Sequence, residues 1–159
     1  MLMIRILLLT IFVLLQAGFA DRCRAQNIII NNDLTFRDML GGVPKVVSKH
    51  TAGSAAEFLV TGTAGAEVTV DITLPQYMYS SGYTLQLVFT DTDCAMDSSA
   101  TPDQSNPGFN DRNPWETQTY RIGSNGLTIW LGALALPRTT QQPGDYTAPI
   151  VLTVTYTGN

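Results

Sequence analysis

The chain has 159 residues, of which 45% are hydrophobic and 14% charged, and its formal net charge is −4. A chain of this length suits one domain with a substantial buried core. The acidic balance argues against nucleic-acid binding, which needs a basic surface, and against attachment to an anionic membrane surface.

Residues 1–25 have the features of a secretory signal sequence. Arg5 supplies a positive charge, residues 6–15 form an apolar run interrupted only by Thr10, and small residues follow. The apolar run is shorter than the roughly 20 residues of a membrane-spanning helix, so an N-terminal anchor is the less favoured alternative. We therefore expect an exported protein with no membrane insertion after signal cleavage.

Two cleavage points follow the small-x-small pattern, one after Ala25 and one after Ala20. The first is favoured because a strand pattern begins immediately after it. That cut removes three arginines and one aspartate, which changes the formal charge from −4 to −6. It also leaves Cys94 as a single free thiol. The second cut would retain Cys23 and permit a Cys23–Cys94 disulfide.

Alternation of apolar and polar residues predicts strands along the rest of the chain. The predicted strands, in chain order, cover residues 27–31, the region of Phe58 and Val60, residues 66–74, residues 82–90, the region of Tyr120 and Ile122, residues 127–131 and residues 150–156. Turn residues separate them, and the Asn125-Gly126 pair is typical of a tight hairpin. No stretch has a convincing helical period. We predict one domain over residues 26–159, a single antiparallel immunoglobulin-like β-sandwich of about seven to nine strands.

Residues 91–117 stand apart because they show little strand character and contain six carboxylates against Arg112. We interpret this segment as one long acidic loop, which is either a solvated variable loop or a functional one. Asp91, Asp93 and Asp97 are weak candidates for a calcium site. They do not follow the EF-hand pattern, whose glycine and final glutamate are absent here.

Catalysis has little support in the sequence. The single histidine, His50, adjoins Lys49 in a polar stretch, and no nucleophile motif accompanies it. A Cys94–His50 pair and a pair of carboxylates as in a glycosidase are both disfavoured. We therefore expect no enzymatic activity and no cofactor.

The two tryptophans are candidates for contacts with a ligand such as a carbohydrate. Trp115 lies in the acidic segment beside Pro114. Trp130 lies on the opposite face of its strand from Ile129 and Leu131, which favours exposure of its ring. Ordinary packing is the alternative for both.

The sequence resembles the secreted bacterial domain-of-unknown-function family 4402, which is similar to spore coat U domains and to pilins of the archaic chaperone–usher pathway. The matching stretches are residues 57–75, residues 143–156, the DLTF of residues 33–36 and the glycines at 41 and 42. The residues that carry the match are Phe58, Val60, Thr61, Gly62, Leu74, Pro75, Gly144, Tyr146, Val154 and Tyr156. The family usually has glycine where this chain has Arg37.

The resemblance implies a non-enzymatic sandwich that is secreted, periplasmic or on the surface of a Gram-negative-type cell. In such pilins a partner supplies a missing strand by β-strand addition. The predicted edge for that partner strand is formed by Ile150, Leu152, Val154 and Tyr156. Like subunits or other proteins are then the expected partners.

Three functions remain open at this point. The first is a structural or adhesive module at the cell surface. The second is a chaperone–usher-type pilus subunit. The third is a carbohydrate- or calcium-binding module that uses residues 91–117. If residues 28–30 form an intrinsic strand, few residues after Ala25 remain to donate to a neighbour. A self-complete sandwich, or a subunit that only accepts a strand, is then expected.

Overall fold

The computed structural model describes residues 26–158, and these contain no helix. The predicted signal sequence, both cleavage points and Cys23 lie outside the described residues. The twelve strands, in chain order, are β1 (Asn27–Asn32), β2 (Lys45–Val47), β3 (Ala56–Thr61), β4 (Glu67–Thr73), β5 (Tyr77–Ser80), β6 (Tyr83–Val88), β7 (Cys94–Asp97), β8 (Phe109–Arg112), β9 (Gln118–Arg121), β10 (Leu127–Leu131), β11 (Ala133–Leu136) and β12 (Val151–Tyr156).

The strands form three antiparallel sheets that pack as a β-sandwich, which confirms the predicted fold class. The five-stranded sheet has the order β1-β3-β10-β7-β8, the four-stranded sheet β2-β11-β6-β5, and the three-stranded sheet β12-β4-β9. The strands exceed the seven to nine predicted because short strands such as β2 and β11 show no clear alternation in the sequence. β1 pairs with β3, so residues 28–30 belong to an intrinsic strand.

One hydrophobic core joins the three sheets. Val60 and Ile129 of the five-stranded sheet, Val68 of the three-stranded sheet and Leu85 of the four-stranded sheet are all buried in it. Their alternate neighbours along each strand are more polar, as expected for strands with one dry face. Burial of side chains of this size stabilises the fold by about 1.5–3 kcal/mol each.

At Gly132 the chain passes from the five-stranded sheet to the four-stranded sheet. β10 ends at Leu131 in the five-stranded sheet, and β11 begins at Ala133 in the four-stranded sheet. A Cβ at residue 132 would lie 2.4 Å from the carbonyl oxygen of Val47 and 2.6 Å from the amide nitrogen of Lys49. Glycine is therefore needed here because another backbone passes too close for a side chain.

The Asn125-Gly126 pair forms a tight turn, but not the predicted hairpin between neighbouring strands. Gly123 and Gly126 form a bridge across the turn, and Gly126 has a φ of 110°. The turn connects β9 and β10, which belong to different sheets. The local turn chemistry was thus predicted correctly, whereas the pairing of the flanking strands was not.

The description of residues 91–117 as one long loop is wrong. The segment contains β7 and β8, which pair with each other and extend the five-stranded sheet to its edge. All four residues of β7 are buried. Strand alternation is absent from its sequence, Cys94-Ala95-Met96-Asp97, because both faces of this strand are covered.

Candidate functional site

The C-terminal strand β12 lies at the edge of the three-stranded sheet and pairs only with β4 among the described strands. Val154 is buried, Leu152 is half-buried, and Val151 and Thr153 are exposed. Ile150, Leu152, Val154 and Tyr156 therefore face the core together, as the sequence pattern predicts.

The register of β12 shows which of its backbone groups are used. The N–H of Thr157 donates to the carbonyl oxygen of Glu67 at 3.1 Å. Because hydrogen-bonding direction alternates along an antiparallel strand, Thr153 and Thr155 point their backbone groups towards β4. Leu152 and Val154 point theirs away from β4, along the open edge.

One contact on this edge shows that its backbone can accept a partner. The side-chain amide of Gln26 donates to the carbonyl oxygen of Val154. Gln26 immediately precedes β1, the edge strand of the five-stranded sheet. The edge strand β1 of the five-stranded sheet and the edge strand β12 of the three-stranded sheet are thus close to each other at this point.

A groove of about 1000 Å³, lined by polar and apolar side chains, opens beside the start of β12. Ile150 lies on one side and Ile30 of β1 on the other, and Ile30 is 63% exposed. Further apolar side chains line the groove, namely Phe36, Phe58, Met78, Leu85 and Leu87. A groove of this composition offers pockets for the alternate side chains of an extended segment.

Sequence reasoning did not find most of this groove. Phe36 was noted only through the resemblance, and Met78 belongs to the short strand β5, which was not predicted. An isolated antiparallel bridge between Tyr79 and Thr147 pairs the segment around Tyr146, which precedes β12, with strand β5. No signal in the sequence indicates that these distant residues would line one groove.

Residues 98–108 are fastened to Lys49 and His50, which follow β2, and Lys49 in turn is bonded to a residue before β7 and to one in β8. The buried Lys49 ammonium donates at 2.5 Å both to the carbonyl oxygen of Thr92 and to the carboxylate of Asp111. The side-chain amide of Gln104 donates to the carbonyl oxygen of Lys49 at 2.7 Å, and His50 Nδ1 lies 2.6 Å from the carbonyl oxygen of Gln104. The segment is therefore a bound flap with a structural role in the fold.

The three aspartates considered for calcium do not come together. Asp93 precedes β7 and Asp97 ends it, so at about 3.3 Å per residue they are roughly 13 Å apart along the strand. Within residues 26–158, no group of three or more His, Cys, Asp or Glu side chains is arranged to hold a metal ion. Asp91 is exposed, and the Asp93 carboxylate accepts a hydrogen bond of 2.7 Å from the Thr90 amide.

Asp97 organises the flap. Burial opposes ionisation of its carboxyl group, but hydrogen bonds from the Ser99 amide and hydroxyl and from the Asp103 and Gly108 amides outweigh this and lower its pKa. The Ser99 and Asp103 amides lie 2.7 Å and 3.2 Å from its two oxygens. Its lone pairs are therefore already used within the protein.

The expectation that Trp130 is exposed is wrong, since only 3% of the residue is accessible. Trp130 does face away from the main core, but the outer face of β10 is covered as well, and every residue of this strand is buried. Trp115 is 50% exposed. Its indole N–H donates to the carbonyl oxygen of Phe89 at 3.0 Å, and its ring packs edge-on against Phe89.

Cys94 is a free thiol among the described residues, and it is fully buried. Burial raises the pKa of this thiol to about 12, with smaller opposing effects from Lys49 and the Ala95 backbone. A thiol that is neutral and inaccessible cannot attack a substrate. The structure therefore does not assemble the Cys94–His50 pair.

No protein-family model matches the chain, and no curated protein matches it significantly. The resemblance to family 4402 therefore stays a prediction. Among residues 26–158 there is also no helix of the length and apolar character that a membrane crossing requires.

Proposed function

We propose that this protein is a non-catalytic structural or adhesive module that acts outside the cytoplasm and accepts an extended strand of a partner along β12. The observation that carries the proposal is the edge of β12, which is unpaired on one side among the described strands and lies beside a groove lined by apolar and polar side chains. The outward N–H groups of Leu152 and Val154 and the carbonyl oxygen of Leu152 would bond the main chain of the incoming strand, which would displace Gln26 from the Val154 carbonyl. The groove beside Ile150 would take its apolar side chains.

The composition of the edge supports this proposal. Proteins usually protect exposed edge strands with charged residues, prolines or bulges, which prevent unwanted pairing. β12 has the sequence Val-Leu-Thr-Val-Thr-Tyr, which contains no charged residue and no proline. β1 is likewise uncharged, with Ile29 and Ile30 exposed. The unprotected edges of β1 and β12 therefore favour the insertion of a partner strand between them.

The pairing of β1 within the domain favours a protein that accepts a partner's strand over one that donates β1 to a partner. Its residues are paired with β3 from Asn27 to Asn32 and are engaged within the domain. The predicted signal sequence supports export. The buried Cys94 and the structural use of Lys49, Asp97 and Asp111 support a role without catalysis, as does the packing of the acidic segment against the sheet.

Hydrogen exchange of the purified protein tests the proposal directly. We expect the amides of Leu152 and Val154 to exchange much faster than those of Thr153 and Thr155, which bond to β4. A peptide of residues 26–36, which contains the uncharged strand sequence Asn-Ile-Ile-Ile-Asn, serves as a model of an extended partner strand, since β1 itself is engaged within the domain. Its addition should slow exchange at Leu152 and Val154 and raise the melting temperature.

The matched variants are Leu152→Pro and Leu152→Ala. Both lose the side-chain packing of Leu152, but only proline removes the outward N–H. We expect both to melt somewhat lower and only Leu152→Pro to lose the effect of the peptide. Equal, slow exchange at all four amides in the isolated monomer, with no response to peptide, would mean that the edge is already closed and the sandwich is self-complete.

A further inference from the structure

A second cavity, of about 530 Å³, lies between β8 and β9. These are edge strands of the five-stranded and three-stranded sheets, so the cavity opens on the side of the sandwich where the two layers part. β9 and β12 lie on opposite edges of β4, which separates this cavity from the strand-accepting edge. The side chains that matter here are Ser98, Phe109, Arg112, Gln118, Tyr120 and Arg121.

The cavity concentrates positive charge in an acidic protein. Residues 26–158 contain six arginines and lysines against twelve aspartates and glutamates. Two of these six cations, Arg112 and Arg121, line the cavity, and Glu67 is its one carboxylate among the lining residues. Arg121 already has partners, namely Glu67 at 3.5 Å and the carbonyl oxygen of Gly65 at 3.0 Å.

Arg112 has no carboxylate partner among the described residues. Asp111, its neighbour in sequence, has a φ of 52° and pairs with Lys49 instead. The Arg112 guanidinium lies 5.6 Å from the centre of the Phe109 ring, and its buried Nε–H has no acceptor within the described part of the chain. A half-buried guanidinium without a carboxylate partner can bind an anion through the part of it that lines the cavity.

The other lining groups suit a sugar. The rings of Phe109 and Tyr120 pack edge to face with centroids 5.2 Å apart and give the cavity an apolar wall. Tyr120 donates its hydroxyl to the side-chain oxygen of Gln118, which leaves the Gln118 amide as a donor beside Arg112. That amide now bonds the carbonyl oxygen of Asn113 at 2.9 Å. Planar apolar walls with a few polar groups are typical of small-ligand sites.

We propose that this cavity binds an acidic sugar, a pyranose that carries a carboxylate such as a uronic acid residue. Its carboxylate pairs with the Arg112 guanidinium in the two-pronged geometry that arginine favours. Its hydroxyl groups bond to Gln118 and Ser98, and one face of its ring packs against Phe109. The site would give a strand-accepting surface protein a second means of attachment, to an acidic polysaccharide.

Calorimetric titration of the purified protein with glucuronate, glucose and acetate tests each part of the proposal. Glucose has the ring without the carboxylate, and acetate has the carboxylate without the ring. We expect saturable binding of glucuronate and at least about tenfold weaker binding of the other two, which corresponds to one charge-assisted contact. An oligouronide should bind at least as tightly as the single sugar.

Arg112→Gln should weaken glucuronate binding at least about tenfold through loss of the charged fork. Arg138→Gln is the matched control, because Arg138 is exposed and lies outside the cavity, and it should bind as the native protein does. Phe109→Leu gives a second, independent variant that keeps the charge and should weaken sugar binding while leaving the weak acetate binding unchanged. Melting curves of all three variants establish that they fold.

Three results would overturn the proposal. One is the absence of saturable binding by glucuronate or an oligouronide. Another is equal binding of acetate and glucuronate, which would reduce the cavity to a simple anion site. The third is unchanged binding by a folded Arg112→Gln variant, which would place any uronate elsewhere on the surface.

Discussion

The phenolic oxygen of Tyr156 occupies the space that a side chain on residue 62 would need. A Cβ built on Gly62 would overlap this oxygen and would also lie 2.8 Å from Cδ1 of Ile122. The same oxygen accepts a hydrogen bond of 3.1 Å from the Thr63 amide. Strand β12 is thereby locked against the end of β3, which joins two residues that are far apart in the sequence.

Gly62→Ala should therefore destabilise the protein by about 1–3 kcal/mol through overpacking. Tyr156→Phe removes the obstructing oxygen, so the same glycine substitution should be less destabilising in that background. Urea unfolding of the two single variants and the double variant measures the coupling between the two sites. Simple additivity of the two effects would show that the clash is relieved by movement elsewhere.

Lys49→Met should destabilise the protein by about 1–3 kcal/mol because the Thr92 carbonyl and the Asp111 carboxylate both lose the charged donor of a buried lysine. We also expect faster hydrogen exchange in β8, since its Asp111 loses the ion pair with Lys49. Lys45→Met is the control, because Lys45 also donates to a backbone carbonyl, that of Asp38 at 2.8 Å, but on the surface. If both variants unfold alike, the buried position of Lys49 has no special importance.

The Lys49–Asp111 contact also predicts a dependence of stability on acid. The hydrogen bond from Lys49, followed by its positive charge, lowers the pKa of Asp111 below its ordinary value of 3.8. The folded state thus binds this proton less readily than the unfolded state. The stabilisation is present above the unfolded-state pKa and is lost as the pH falls through the lower folded-state pKa. Melting temperatures between neutral and strongly acidic pH should fall less in Asp111→Asn than in the native protein.

At high pH the buried thiol of Cys94 should make the folded state less stable as the pH rises. Because the pKa of Cys94 is raised to about 12 from 9.0, its contribution is complete below about 9 and is lost as the pH rises towards 12. Desolvation likewise raises the pKa of Tyr120 to about 12, so some alkaline loss remains in Cys94→Ala. The difference between the melting temperatures of the native protein and of Cys94→Ala at each alkaline pH gives the contribution of the thiol to the loss of stability.

A direct chemical test of Cys94 uses a thiol reagent at neutral pH. The thiol should react only when the protein unfolds, so the labelling rate should track the unfolding equilibrium under increasing urea. Rapid labelling of the native protein, without loss of structure, would contradict the burial of this side chain.

Arg37 occupies a backbone conformation that favours glycine, with a φ of 53°. This is the position at which the resembling family usually has glycine. Arg37→Gly should relieve the strain, although it also makes the unfolded chain more flexible, so a net gain of up to about 1 kcal/mol is expected. Arg138→Gly is a suitable contrast, since Arg138 is absent from the positive-φ residues and should only lose stability. A large loss in Arg37→Gly would mean that the side chain makes a needed contact in the groove.

The sequence predicted every strand of five or more residues and missed most of the shorter ones. β4 and β12 were recognised because one face of each is dry. β7 was missed because it is covered on both faces, and Trp130 was misplaced for the same reason. Alternation indicates which residues share a face, whereas what covers that face depends on distant segments. The groove and the Arg112 cavity depend on such segments, so neither was predicted.

The passage of the chain through Gly132 has a mechanical consequence. One continuous backbone, from Leu127 to Leu136, is hydrogen-bonded first into one layer and then into the other. Sliding one layer over the other would have to shear the hydrogen bonds of β10 or β11, because a single covalent strand crosses between them. Pulling the five-stranded sheet away from the four-stranded sheet would therefore load the covalent chain at Gly132 as well as the side-chain packing between the two sheets.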